Sequence, residues 1–335
     1  MRRYNLPCPT ISWAIFLLGQ YMILVTGATG FIGRHLIYRL AQNPKLQVRI
    51  FLRPGADLAK LPRPLSVHTM IGSIDDPESL LSAMNGIHTV IHLVGTESRG
   101  RSAQLASVDL DSTKALVDAA LTARVGRIIY VSRPGADRAS AFPVLRLKGE
   151  IEEIIRDSGL GFTIFRSAAL FGANDRFSEH IAMLAGSFPF YIVPGDGESI
   201  FQPLWVEDFV SCLMIALESL DTLDTVVSVG GPELLTYRRM VMRVMHSIGV
   251  SRPIVGLPLL INQGVIWFLD GLFARWPITR HWIEMFASNQ SFELGTIERQ
   301  FGFRPASFDI GILSQYMQNR HYTARLARYV ISSKW

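Results

Sequence analysis

Eight residues constrain this chain more than any others: Thr26-Gly27-Ala28-Thr29-Gly30-Phe31-Ile32-Gly33. They follow the apolar run Met22-Ile23-Leu24-Val25, which reads as a buried parallel strand. They lead into Phe31, Ile32, Leu36, Ile37 and Leu40, which recur at helical spacing. Strand, glycine turn and helix is the context in which a glycine pattern points to a dinucleotide. Each glycine has its own reason. Gly27 lets the chain leave the strand in a tight turn, Gly30 lets a pyrophosphate approach the backbone, and Gly33 lets the helix pack closely on the strand. The N–H groups at the start of that helix and its positive dipole end then face the phosphates. The spacing is GxxGxxG and not GxGxxG, and the competing reading is a purely structural turn.

The rest of the chain repeats this alternation. Strands are expected at Gln47–Leu52, Ser66–Ile71, Thr89–Val94, Arg127–Val131, Gly161–Phe165 and Val226–Val229. Helices are expected at Pro77–Met84, Ala103–Ala123 and Leu145–Ser158, with another starting near Val206. Strands alternating with helices make βαβ units, so the fold class is α/β with a doubly wound parallel sheet. From Pro232 on the pattern turns mainly helical. The expected division is a nucleotide-binding domain over 22–231, a smaller helical lobe over 232–320 interleaved with it, and a basic tail over 321–335.

The first 21 residues stand apart. Arg2 and Arg3 precede the apolar run Ile11–Leu18, which imitates a signal peptide but is too short to span a membrane. Met22 opens the strand directly, so the favoured reading is that the chain starts there and that 1–21 is a mis-assigned extension. The other is a short membrane-surface or packing segment.

Across 335 residues the formal charge is +5, which suits an anionic ligand or a membrane surface. With no block of Lys or Arg, nucleic acid is not an expected partner. Cys8 and Cys212 are far apart and the histidines lack ligand spacing, so neither a disulfide framework nor a metal site is expected. A reducing, cytoplasmic location fits.

The end of the second strand selects the cofactor. An acid there would bind the ribose hydroxyls of NAD(H) and repel a 2′-phosphate. This chain has Leu52-Arg53, with Arg34 just after the last glycine, and two guanidinium groups suit the 2′-phosphate of NADP(H). Two solvated surface arginines are the plainer alternative. Asp75 and Asp76 follow the third strand, where they reach an adenine edge or cap the helix at Pro77.

A series of motifs then falls in a familiar order: the glycine turn, His92-Leu93-Val94-Gly95, Tyr130-Val131-Ser132, Lys148-Gly149-Glu150, Phe165-Arg166-Ser167 and Leu170-Phe171-Gly172. The chain resembles the extended or atypical short-chain dehydrogenases/reductases, a Rossmann-fold family. Phe171-Gly172-Ala173-Asn174-Asp175-Arg176-Phe177 and Gln202-Pro203-Leu204-Trp205-Val206-Glu207-Asp208 are similar to the branch that holds the NADPH-binding accessory subunit of respiratory complex I. The resemblance implies cofactor contacts at Gly27, Thr29, Gly30, Phe31, Ile32, Gly33, Arg34, Arg53, Leu93, Val94, Gly95 and Lys148. Active members use a tyrosine as general acid four positions before the lysine, with a serine at the end of the fifth strand. Lys148 and Ser132 match, but the tyrosine position is Val144, which has no proton to give.

The resemblance therefore implies an NADP(H)-binding protein with weak or no Tyr–Lys reductase activity, in a structural, assembly or redox-sensing role beside a membrane quinone enzyme. The alternative is an active NADPH-dependent oxidoreductase or isomerase on a small quinone-like, isoprenoid or carbonyl substrate. His92 reads equally as a cleft or a core residue. Arg166 is expected to hold the loop of Asp175 and Arg176, with a ligand-lining role for those two as the other reading, and Asp208 is expected to cap or fix the helix at Val206. Within Leu257–Trp276, the face of Leu260, Ile261, Val265, Phe268, Leu269, Leu272 and Phe273 either completes the core of the lobe or docks on a protein partner or membrane surface. The second option would place the protein peripherally at the inner face of a membrane.

Overall fold

The computed structural model describes residues 22–61, 67–95, 105–273, 276–278, 282, 285–286 and 291–331. The expected extension over 1–21 lies outside these residues. Seven strands form one sheet: β1 (Met22–Thr26), β2 (Gln47–Leu52), β3 (His68–Ile71), β4 (Thr89–His92), β5 (Arg127–Ser132), β6 (Gly161–Ser167) and β11 (Thr225–Val229). Their order is β11-β6-β5-β4-β1-β2-β3. Pairing is parallel at β1–β2, β2–β3, β1–β4, β4–β5 and β6–β11. The order reverses beside β1, where β4 lies on one side and β2 on the other. In open α/β sheets that switch point is where ligands bind.

The helices are α1 (Phe31–Ala41), α2 (Pro77–Met84), α3 (Asp111–Thr122), α4 (Pro143–Asp157), α5 (Ser178–Ser187), α6 (Val206–Glu218), α7 (Tyr237–Ser247), α8 (Leu259–Leu272), α9 (Thr296–Phe301), α10 (Ile310–Met317) and α11 (Tyr322–Ile331). The long helix expected from Ala103 is a π-helical turn at Leu105–Leu110 followed by α3. Four two-residue strands, β7 (Leu170–Phe171), β9 (Ile200–Phe201), β10 (Leu204–Trp205) and β12 (Leu235–Thr236), make small pairings outside the main sheet. A further pair joins β8 (Tyr191–Pro194) to β13 (Ile254–Leu257).

The chain forms two compact units. The first holds the described residues up to Val94, with Ser112–Tyr130 and Ile155–Phe162. Ile23, Leu24 and Val25 of β1 are fully buried there with Leu36, Ile37 and Leu40 of α1, as the apolar spacing requires. The second holds Gly95–Asp111, Val131–Ile154 and the chain from Thr163 onward. Its core is strongly aromatic, built on Phe171, Phe201, Tyr237 and Phe308 with Met240 and Met317. Rings meet edge to face at Phe171–Phe308 (4.8 Å) and Tyr237–Phe286 (4.8 Å).

The face of α8 does not complete that core. The helix turns Asn262 and Ile266 inward, while Leu260, Ile261, Val265, Trp267, Phe268 and Leu272 are exposed. Leu269 and Phe273 are half-buried. Among the described residues, no helix is long and apolar enough to cross a membrane.

Candidate dinucleotide-binding site

In the first unit, β1 ends at Thr26 and the chain turns at Gly27 with φ +73°. The Gly30 N–H donates to the Gly27 carbonyl at 2.9 Å and closes the turn. A side chain at Gly27 would come within 2.7 Å of the Leu93 backbone, and one at Gly33 within 2.3 Å of the Gly27 carbonyl oxygen. Gly27 thus serves both the turn and the approach to the end of β4, and Gly33 lets α1 start against the turn. The Leu93 N–H donates to the Thr26 carbonyl at 3.2 Å, which stitches the two strand ends together.

Gly30 is the N-cap of α1, exposed and extended. No side chain caps this helix, and its first turn holds no acid. The N-terminal N–H groups therefore meet no capping side chain, and the dipole end carries no carboxylate to repel an anion. This arrangement fits a dinucleotide pyrophosphate. Thr29, Phe31 and Ile32 border the turn half-buried, and Leu93 and Val94 do the same after β4, followed by exposed Gly95.

Arg34 folds its Nε back to donate to the Gly30 carbonyl at 3.2 Å, and Arg53 is exposed just after β2. Asp76 is a cap: its carboxylate accepts from the Glu78 N–H at 3.2 Å at the start of α2. Asp75 is bonded to Ser73. His92 is a core residue. Its Nδ1 bonds Thr26 Oγ1 at 2.8 Å, its Nε2 bonds Thr113 Oγ1 at 3.2 Å, and its ring stacks on Tyr130. With both nitrogens engaged by threonine hydroxyls, the imidazole ties β1, β4 and α3 together.

In the second unit, Val144, Lys148 and Glu152 follow one another at four-residue spacing on α4, and all three are buried. Ser132, at the end of β5, donates its hydroxyl to Glu152 Oε1 at 2.6 Å. Arg166 grips the same carboxylate with Nε at 3.0 Å and Nη2 at 2.7 Å, and Nη2 also donates to the Ala136 carbonyl at 2.9 Å. Hydrogen bonding to Glu152 holds the Arg166 guanidinium above its ordinary pKa. The sequence pointed to Ser132 and Lys148 but not to Glu152, which accepts the serine's hydrogen bond. Gly149 also has a role that the motif does not reveal: a side chain there would lie 2.3 Å from the Arg138 backbone nitrogen.

The expected link between Arg166 and the Asp175 loop is absent, because Arg166 is committed to Glu152. Asp175 is held by its own loop. Its carboxylate accepts from the N–H groups of Gly172, Phe177 and Glu179 and from the Ser178 hydroxyl. It is buried and holds its own loop together. The next carboxylate, Glu179, binds Arg320 at 2.8 Å and also pairs with Arg325, two of the basic residues near the C-terminus. Asp208 does not cap α6; it accepts the Ala306 N–H at 2.6 Å and tethers a distant loop. Gln202 bridges the Gly231 carbonyl (2.8 Å) and the Phe292 N–H (2.7 Å).

The model of a family described as NAD(P)H-binding matches residues 27–186. The photosystem II assembly factor Ycf39 of Cyanophora paradoxa is 36% identical over 149 residues, covering 44% of this chain and 46% of that protein. The Arabidopsis thaliana mitochondrial NADH dehydrogenase [ubiquinone] 1 alpha subcomplex subunit 9 is 31% identical over 224 residues, covering 63% and 54%. The chain spans about half the length of these curated relatives. A crystal structure of an NADPH-dependent quinone oxidoreductase from Escherichia coli superposes with a TM-score of 0.69 at 18% identity, over 88% of this chain and all of that one, and the two share the fold.

Proposed function

We propose that the chain is an NAD(P)-binding, Rossmann-type extended short-chain dehydrogenase/reductase, and that it holds NADP(H) without the Tyr–Lys reductase chemistry of that family. Val144 carries this reading. It stands one turn before Lys148 on α4, where active members place their general acid, and it is an aliphatic side chain buried in the unit. Ser132 does not make good the loss, because its hydroxyl proton is directed at the Glu152 carboxylate. A bound nicotinamide dinucleotide supplies a hydride donor or acceptor. The chain's own part is to bind the pyrophosphate at the Gly27–Gly33 turn, to pair Arg34 and Arg53 with a 2′-phosphate, and to hold the nicotinamide ribose with Lys148.

An assembly factor and a complex I subunit among the relatives support a structural or assembly role beside a quinone enzyme, and the proposal adds a place at the inner face of a membrane. The retention of buried Lys148 and of Ser132 favours a second reading, turnover of a small quinone-like, isoprenoid or carbonyl substrate with the proton supplied by water. Titration of the purified protein with NADPH and NADH, then absorbance of bound NADPH over a panel of quinones and carbonyls, separates the two. The proposal expects tight NADPH binding, weaker NADH binding and no oxidation. Steady oxidation of NADPH would replace it with the second reading, and binding of neither dinucleotide would overturn both.

A further inference from the structure

Helix α8 is apolar nearly all the way round, yet it rests on the protein along a narrow stripe. Asn262 and Ile266 are buried, whereas Leu260 is 83% exposed, Trp267 66%, and Phe268 and Leu272 62% each. A helix apolar on every side belongs in a protein core or in contact with lipid. This one has that composition and is exposed over most of its surface. The surface continues beyond the helix. Val255 of β13 is exposed, and so are Phe188 and Phe190 just before the paired strand β8. Phe188, Trp276 and Phe273 form a chain of ring contacts at 6.4 and 5.4 Å that joins the end of α5 to the end of α8.

We propose that this surface seats the protein on an anionic lipid bilayer, with α8 lying in the plane of the interface. Four observations fit a lipid surface, and the first of them disfavours a protein partner. Among the described exposed side chains of α8, Leu260, Ile261, Val265, Phe268 and Leu272 carry no hydrogen-bonding group and only Gln263 and the Trp267 ring do, so the face offers little with which a protein interface fixes its register. Fourteen residues make a helix about 21 Å long, short of the roughly 30 Å hydrocarbon core, so it lies on the bilayer and does not cross it. The chain carries a net charge of +5, which complements an anionic surface. Trp267 has the amphipathic ring favoured at headgroup depth. Docking needs no nucleotide and stands apart from the NADP(H) proposal.

The test is co-sedimentation of the full chain with phosphatidylcholine vesicles, with and without phosphatidylglycerol. Trp267→Gln combined with Phe268→Gln removes apolar contact from two exposed positions without adding charge. Leu220→Gln, at another exposed site of the same unit, is the control. NADPH titration and thermal unfolding of the same samples report folding and cofactor binding separately from docking. The proposal expects wild type and the Leu220 variant to sediment with phosphatidylglycerol vesicles, and less with phosphatidylcholine alone. It expects the double variant to bind about tenfold more weakly. Wild type left in the supernatant, or a double variant that sediments like wild type, would overturn it. So would gel filtration showing self-association that the double substitution abolishes while vesicle binding is absent, since the face would then be a protein interface.

Discussion

Ser132 and Glu152 share a 2.6 Å hydrogen bond in which the serine is the donor, and Arg166 clamps the same carboxylate from its other side. Glu152 is fully buried, whereas the Arg166 side chain keeps 28% of its surface. Truncating the two partners therefore costs unequal amounts. Ser132→Ala removes one hydrogen bond and leaves the carboxylate paired, at a cost of about 1 kcal/mol. Arg166→Met breaks the ion pair to a fully buried carboxylate, a larger loss that reaches about 3–5 kcal/mol. Urea unfolding of both variants checks the order. Equal losses would mean that the serine holds Glu152 as strongly as the arginine does.

Gly33 offers a sharper test of the turn. A methyl group there would stand 2.3 Å from the Gly27 carbonyl and 2.7 Å from the Ala28 backbone. Neither is the end of a flexible side chain, so the start of α1 must move. Gly33→Ala is expected to lower stability by about 1–3 kcal/mol through overpacking. It should also weaken NADPH and NADH together, because the N–H groups that face the phosphates shift with the helix. Isothermal titration with both cofactors reads this directly. Unchanged affinity for both would detach the turn from dinucleotide binding.

The difference between what was legible in the sequence and what was not is one of range. The glycine turn, β1 and α1 are specified within twenty consecutive residues, and each glycine's backbone role could be argued locally. His92 could not be assigned, because what makes it a core residue is Thr26, 66 positions away, and Thr113, 21 positions away. Glu152 went unnoticed for the same reason. Its neighbours in sequence are charged and ordinary, and only the fold brings Ser132 and Arg166 to it. The apolar residues of α8 were read correctly as a broad face, but periodicity tells which residues share a side and not whether anything covers it. The placement of Asn262 and Ile266 inward settles that on tertiary grounds.

On the proposal that the chain holds NADP(H), cofactor preference turns on Arg34 and Arg53, with no acid between them in the sequence. Each charge-assisted contact to a phosphate contributes about 1.5–3 kcal/mol. Arg53→Ala is thus expected to weaken NADPH about tenfold or more and to leave NADH nearly unchanged. Arg34→Ala should do the same, with a small added effect on both cofactors because its Nε also bonds the Gly30 carbonyl. Paired dissociation constants for the two cofactors decide the matter. An equal loss for both would show that the arginines act on the turn and not on the 2′-phosphate.

Asp175 supplies a pH dependence whose sign follows from its burial. Desolvation pushes its carboxyl up to about 7, against the pull of the Glu179 and Gly172 N–H groups and the Ser178 hydroxyl, while the neighbouring Glu179 charge pushes it further up. In the unfolded chain the group ionises near its ordinary value of 3.8. Between these two values the folded state keeps a proton that the unfolded state has lost. Its contribution to stability is therefore full below about pH 4, falls as pH rises through the window, and is gone above about 7. Asp175→Asn has no such titration. The stability of wild type minus that of the variant, from urea unfolding at a series of pH values, should decline from about 4 to 7 and be flat beyond. His180, which burial pushes down to about 3, titrates in both proteins and drops out of the difference. A constant difference across the window would mean that the four donors win and that Asp175 is ionised throughout.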